Sequence, residues 1–197
     1  MSNTQYGCPP DDYRLLVPRD WFRIDLVIDR WRPQLKKFID QQATRRQLSR
    51  DAGHELWVSL RNAVETGVSQ GALELYLRTD IAVGTTAPAT LMVSLLPMRD
   101  ALHASPEEFA QALSRREEKG ASVSVSSLPA GACVRVSTTT TLEYYVQMPG
   151  EAGYILLSFT LPLSGVQSSL GELCEAMAGS LRWIHNTAPH EQHQSPP

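Results

Sequence analysis

From Gly71 onward the hydrophobic period of this chain is two, and short turn sequences separate its apolar runs. Leu73, Leu75 and Leu77 alternate with Glu74, Tyr76 and Arg78, and Ile81 and Val83 prolong the pattern. Gly84-Thr85-Thr86-Ala87-Pro88 supplies a hairpin loop, and Thr90 to Pro97 returns as a second strand. That second strand is apolar on both faces, which places it in the middle of its sheet. Four more strands are predicted, over 122–128, 132–139, 142–148 and 154–161, with turns at Pro129-Ala130-Gly131, near Thr140, and from Pro149 to Gly153. Strands joined by hairpins pair antiparallel, so the class is α+β and a doubly wound parallel sheet is excluded.

Before Gly71 the period differs. Tyr13 to Pro18 reads as a short strand stopped by proline, and Trp21 to Leu26 as a second strand after the turn Pro18-Arg19-Asp20. Trp31, Leu35, Phe38 and Ile39 then fall on one helical stripe, with Pro33 in the first turn. Ala52, Leu56, Leu60, Ala63, Val64 and Gly67 make another. The polar stretch from Gln41 to Gln47 leaves open whether residues 29–68 form one bent helix or two. Ser105-Pro106-Glu107-Glu108 is a capping box with proline at the first helical position, and its helix is expected to stop at Gly120. Leu170, Leu173, Met177, Leu181 and Ile184 line one face of a closing helix. The expectation is an antiparallel sheet of about six to eight strands between helical layers, an α/β/α sandwich.

A chain of 197 residues with 42% hydrophobic residues can bury one ordinary core. All the elements are needed to close that sheet, so residues 12–185 are assigned to a single domain. Residues 1–11 read as a flexible leader, and 186–197, rich in Pro, His, Gln and Ser, as a disordered tail. No apolar run is long enough to span a membrane, and Met1 to Cys8 lacks the pattern of a secretory signal. The expected location is cytoplasmic. The net charge of −3 gives no footprint for nucleic acid. It hides an asymmetry: residues 29–61 hold eight basic and four acidic side chains, whereas 101–197 hold five and nine. The simpler account of the basic stretch is a solvated helix face.

Motifs for catalysis are missing. There is no dinucleotide fingerprint, phosphate loop or nucleophile elbow, and His54-Glu55 lacks the second histidine of a zinc-protease helix, since Val58 stands there. Cys8, Cys133 and Cys174 contain no C-x-x-C pair, and Cys133 and Cys174 read as small core residues. His185, His190 and His193 near the end lack the support that a metal cage needs. His103 reads as a solvated loop histidine. No catalytic, cofactor-binding or metal-binding residue is therefore assigned. The remaining candidates lie on the polar faces of the strands: Tyr76 and Arg78, with Arg135 and Tyr145 from later strands. Aromatic and arginine side chains are enriched at the centres of protein interfaces. The plainer alternative is that helices cover that face and these residues form buried or rim pairs.

The order of elements, the long helical insertion after two N-terminal strands, and the ending Leu173-Cys174-Glu175-Ala176-Met177-Ala178-Gly179-Ser180-Leu181-Arg182-Trp183 resemble a PsbP-like α/β/α domain. That fold is shared by an extrinsic photosystem II subunit, a nuclear-transport GTPase-binding factor, LpqN-type lipoproteins and the Eag chaperones of secreted toxins. The resemblance covers residues 12–185. It implies a protein-binding role, because members mostly bind proteins and share no catalytic site. It carries no functional residue over to this chain.

Three readings of function follow. The first is a non-enzymatic interaction module, an adaptor or chaperone-like partner of a secreted or toxin protein. The second is a small-ligand-binding protein or an enzyme with a pocket between the sheet and the helical insertion, with Arg78, Arg135 or Tyr145 converging on it. Filling of that space by Trp31, Trp57 and leucine side chains would count against it. The third is a homodimer through an exposed strand edge.

Overall fold

A computed structural model describes residues 8–28, 30–80, 87–97, 105–115 and 120–185. Its strands are β1 (Asp12–Arg14), β2 (Trp21–Asp25), β3 (Ala72–Arg78), β4 (Thr90–Pro97), β5 (Ser122–Leu128), β6 (Gly131–Ser137), β7 (Thr141–Gln147), β8 (Gly153–Thr160) and β9 (Arg182–Ile184). Its α-helices are α1 (Trp31–Arg46), α2 (Arg50–Ser69), α3 (Pro106–Ser114) and α4 (Ser169–Gly179). Seven strands form one antiparallel sheet in the order β2-β3-β4-β8-β7-β6-β5, and β1 pairs with β9 in a separate ribbon. The chain is α+β, with β4 inside the sheet as its doubly apolar sequence requires. Among the described residues no helix is long and apolar enough to cross a membrane.

The register sorts the side chains into two faces. Leu75, Met92, Ser158, Glu143 and Val136 stand in one cross-strand row; Tyr76, Leu91, Phe159 and Leu142 stand in the next and point the other way. On the first face, Ile24, Leu75 and Leu77 are buried with Trp31, Leu35 and Phe38 of α1 and Leu56, Leu60 and Val64 of α2. Farther along that face, Val134 and Val136 meet Ala110, Phe109 and Leu113 of α3. On the second face, Leu91, Val146, Leu157 and Phe159 are buried with Cys174, Met177 and Ala178 of α4, and Tyr13 and Trp183 of the ribbon pack there as well. The result is a sheet between two layers, α1, α2 and α3 on one side and α4 with the ribbon on the other.

Two helices, not one, occupy the insertion. Gln47 ends α1 in the left-handed region at φ 52°, and its backbone N–H donates to the Ala43 carbonyl. Ser49 then caps α2, its hydroxyl accepting from the Ala52 N–H at 3.2 Å. No side chain caps the start of α1. Its helicity rests on burial of Trp31, Leu35, Phe38 and Ile39, at about 1.5–3 kcal/mol for each large apolar side chain. The capping box of α3 forms as its sequence requires: the Glu108 N–H donates to Ser105 Oγ and the Ser105 N–H to Glu108 Oε2.

Four expectations differ from the fold. The helix α3 ends at Ser114, in place of the expected stop at Gly120. The closing helix stops at Gly179, and Arg182–Ile184 is a strand, because pairing of Tyr13 with Trp183 outweighs the helical spacing of Leu181 and Ile184. The first strand is shorter than Tyr13–Pro18 and spans Asp12–Arg14. In β3 a bulge between Ala72 and Glu74 takes Leu73 out of line with Leu75 and Leu77, and Ala72 joins their apolar cluster instead. The expected extension at Ile81 and Val83, the turn residues 84–86, His103, residues 116–119 before Gly120, residues 1–7 of the leader and the whole tail 186–197 lie outside the described residues.

Candidate functional site

Regular alternation after the β3 bulge aims Glu74, Tyr76 and Arg78 at the second face of the sheet, next to the edge strand β2. Arg23 of β2 lies opposite Tyr76, and Asp25 opposite Glu74. The ribbon crosses this corner and brings Tyr13 down onto it. Glu74 is 8% exposed, and each of its oxygens is engaged. Oε1 accepts from Arg23 Nε at 2.7 Å and from the same guanidinium's terminal nitrogen. Oε2 accepts from the hydroxyls of Tyr13 and Tyr76, both at 2.8 Å. Burial, together with the neighbouring carboxylate, pushes both phenols far above their ordinary ionisation range. They remain neutral donors at physiological pH, so neither is a nucleophile or a base. The cluster ties β1, β2 and β3 to one carboxylate.

Above the cluster a cleft of about 390 Å³ opens between the ribbon and the sheet edge. Asp12, Arg14, Arg23 and Asp25 give it a mixed-charge wall, and Leu15 and Val27 an apolar one. Beside it the apolar surface continues outward: Leu16, Val27 and Ile28 are 60%, 71% and 55% exposed. Such a corner offers shape, charge pairs and apolar contact, which are the components of recognition.

The sequence-derived candidates do not converge. Tyr76 belongs to the Glu74 cluster. Arg78 also points to the second face, where its guanidinium lies 3.5 Å from Asp20 and 3.7 Å from Asp80. Arg135 shares that face at the far end of the sheet. It donates to Ser137 Oγ at 3.1 Å and to Glu175 of α4 at 2.9 Å, which ties β6 to the covering helix. Tyr145 points to the opposite face, packs edge-on against Phe109, and donates to Glu143 Oε2 at 2.9 Å. Ser158 donates to the other oxygen of Glu143 at 3.0 Å. Sequence reasoning placed Glu74 on the right face and passed over Arg23 and Tyr13. Arg23 becomes visible only once the β2–β3 register is known, and Tyr13 only once the ribbon is docked.

Two of the three thiols are shielded, and Cys8 is exposed. Cys133 and Cys174 are fully buried free thiols, and burial pushes Cys174 up to about 12. Among the described residues no three His, Cys, Asp or Glu side chains gather as a metal ion would need. The space between the sheet and the α1–α2 insertion is filled by Trp31, Phe38, Leu56 and Leu60, with Trp57 against them. No protein-family model matches the chain, and no curated protein or solved structure matches it either.

Proposed function

We propose that this chain is a protein-interaction module that docks a segment of another protein at the corner formed by the ribbon, β2 and β3. The observation that carries this reading is the pairing of an inert floor with a sticky rim. Glu74 has both oxygens engaged by Arg23 and two neutral tyrosines, while Leu16, Val27 and Ile28 stand exposed beside the cleft. A saturated carboxylate holds a surface in shape and does not move protons. The mixed charges of Asp12, Arg14 and Asp25 suit the polar positions of a peptide whose apolar side chains meet Val27 and Ile28. The resemblance to PsbP-like domains supports the same reading, and an adaptor or chaperone-like role toward a secreted or toxin protein is the form it suggests.

The test compares affinity capture from native lysate by the natural chain, by Val27→Asp/Ile28→Asp, and by Leu163→Asp, whose side chain is 60% exposed. A stoichiometric partner should be lost with the double variant and kept with Leu163→Asp. Equal capture by all three, or no stoichiometric partner at native concentration, overturns the reading.

A further inference from the structure

The main sheet has two edges, and they are built differently. β2 carries Arg23 and Asp25, the kind of charge that protects an edge from unwanted pairing. β5 at the other edge, Ser-Val-Ser-Val-Ser-Ser-Leu, has no charge, no proline and no glycine over seven residues. No described residue pairs with its outer side. Val125 of β5 is 41% exposed, and among the described residues it is the one large apolar side chain of the main sheet left open to this degree.

We infer that β5 pairs with β5 of a second copy of this chain, antiparallel and centred on Ser124, joining two sheets into one. The choice of occupant comes from the strand itself. Ser122-Val123-Ser124-Val125-Ser126 reads the same in both directions. A two-fold axis at Ser124 therefore sets Val123 against Val125 of the other copy, Ser122 against Ser126, and Ser124 against itself. Every pair is like with like, as a self-complementary two-fold interface demands. No like charges meet, because the strand has none.

The backbone agrees with that register. In the β5–β6 hairpin the closing pair Leu128 and Gly131 is hydrogen-bonded, and the alternation continues through Ser126 and Ser124. The N–H and C=O groups of Val123 and Val125 are then the ones directed outward. These are the residues that the Ser124-centred pairing places opposite each other. The same pairing puts all four valines on the α3 side of the joined sheet, where Val123 already packs against the cluster of Ala110, Val134 and Val136. The inference is independent of the proposed docking corner, which lies at the opposite edge.

The test uses the full chain with Cys8, the exposed thiol, replaced by serine; Cys133 and Cys174 are buried. Ser124 would face its copy at a non-hydrogen-bonded position, where a Cα separation of about 4.5 Å falls within disulfide reach. Under mild oxidation Ser124→Cys should convert mostly to a covalent dimer, and Val125→Cys should do so far less. Light scattering of the natural chain should give twice the monomer mass, reduced to the monomer mass by Ser124→Lys with an unchanged circular dichroism spectrum. A monomer at every concentration, a dimer that survives Ser124→Lys, or stronger cross-linking through Val125→Cys would overturn the inference. So would capture of a different protein's strand on β5.

Discussion

Removing the Glu74 carboxylate leaves three donors of the corner, from Tyr13, Arg23 and Tyr76, without their acceptor. Glu74→Ala should therefore cost about 2 kcal/mol, since Arg23 retains water and the phenols do not. For a chain of this length that is a fall of about 4–8 °C in melting temperature, read by calorimetry. The phenols also set an alkaline limit. Their ionisation is raised in the fold, so their contribution is complete below the ordinary value of 10.0 and is lost as pH climbs above it, when the unfolded chain releases protons that the fold retains. Denaturant melts should show stability falling above pH 10, by up to about 1.4 kcal/mol per pH unit for each phenol, and Tyr13→Phe/Tyr76→Phe should flatten the fall. The thiols give a third readout: a disulfide reagent should titrate one cysteine, Cys8, in the native protein and all three after denaturation. At this scale the sequence was legible where chemistry is local. Alternation placed Glu74, Tyr76 and Arg78 on one face, and burial of Cys133 and Cys174 followed from their apolar neighbours. The partners Arg23, Tyr13 and Glu175 come from elsewhere in the chain, and no local pattern contains them.

The helices separate two uses of glycine. Gly53 of α2 faces open space, with no atom near the position a Cβ would take. Gly53→Ala should stabilise the chain by about 0.5–1 kcal/mol, because alanine loses less backbone entropy in a helix interior. Gly171 in the first turn of α4 lies directly against the Val166 carbonyl, so a Cβ there would strike backbone that has no rotamer to yield. Gly171→Ala should destabilise by about 3 kcal/mol, and paired urea titrations of the two variants should give shifts of opposite sign. Strands with turn chemistry on both sides, such as β5 through β8, were legible within a residue or two. So was the start of α3, whose capping box is a self-contained signal; its end was not, since the helix stops at Ser114, short of Gly120. The end of α4 was not. Leu181 and Ile184 continue a helical stripe, but Ser180 donates to the Met177 carbonyl, and the chain turns to pair with β1. A stripe records which residues are buried; it does not record which neighbour buries them.

At the scale of the molecule, the antiparallel class was readable because hairpins leave no other pairing. The sandwich of helical layers was expected as well, but which helix covers which face was not, since no local pattern contains it. The charge asymmetry along the chain also gains a location: the basic stretch lies in α1 and α2. Acidic side chains of the later half divide between α3 on the same side of the sheet, with Glu107 and Glu108, and α4 on the other, with Glu172 and Glu175. Some of the basic excess is offset within its own layer, by Arg32 with Glu65 and Lys36 with Asp40. The β1–β9 ribbon has a temporal meaning as well. Tyr13 pairs with Trp183, so β1 leaves a ribosome long before β9 and waits for it before it can bond. During synthesis the apolar face that the ribbon later covers stands open, and Tyr13 holds no place beside Glu74. Pairing over so long a separation is slow to close. The corner between the ribbon and β2 is therefore completed only after Trp183 is made, and a chain cut before β9 lacks it.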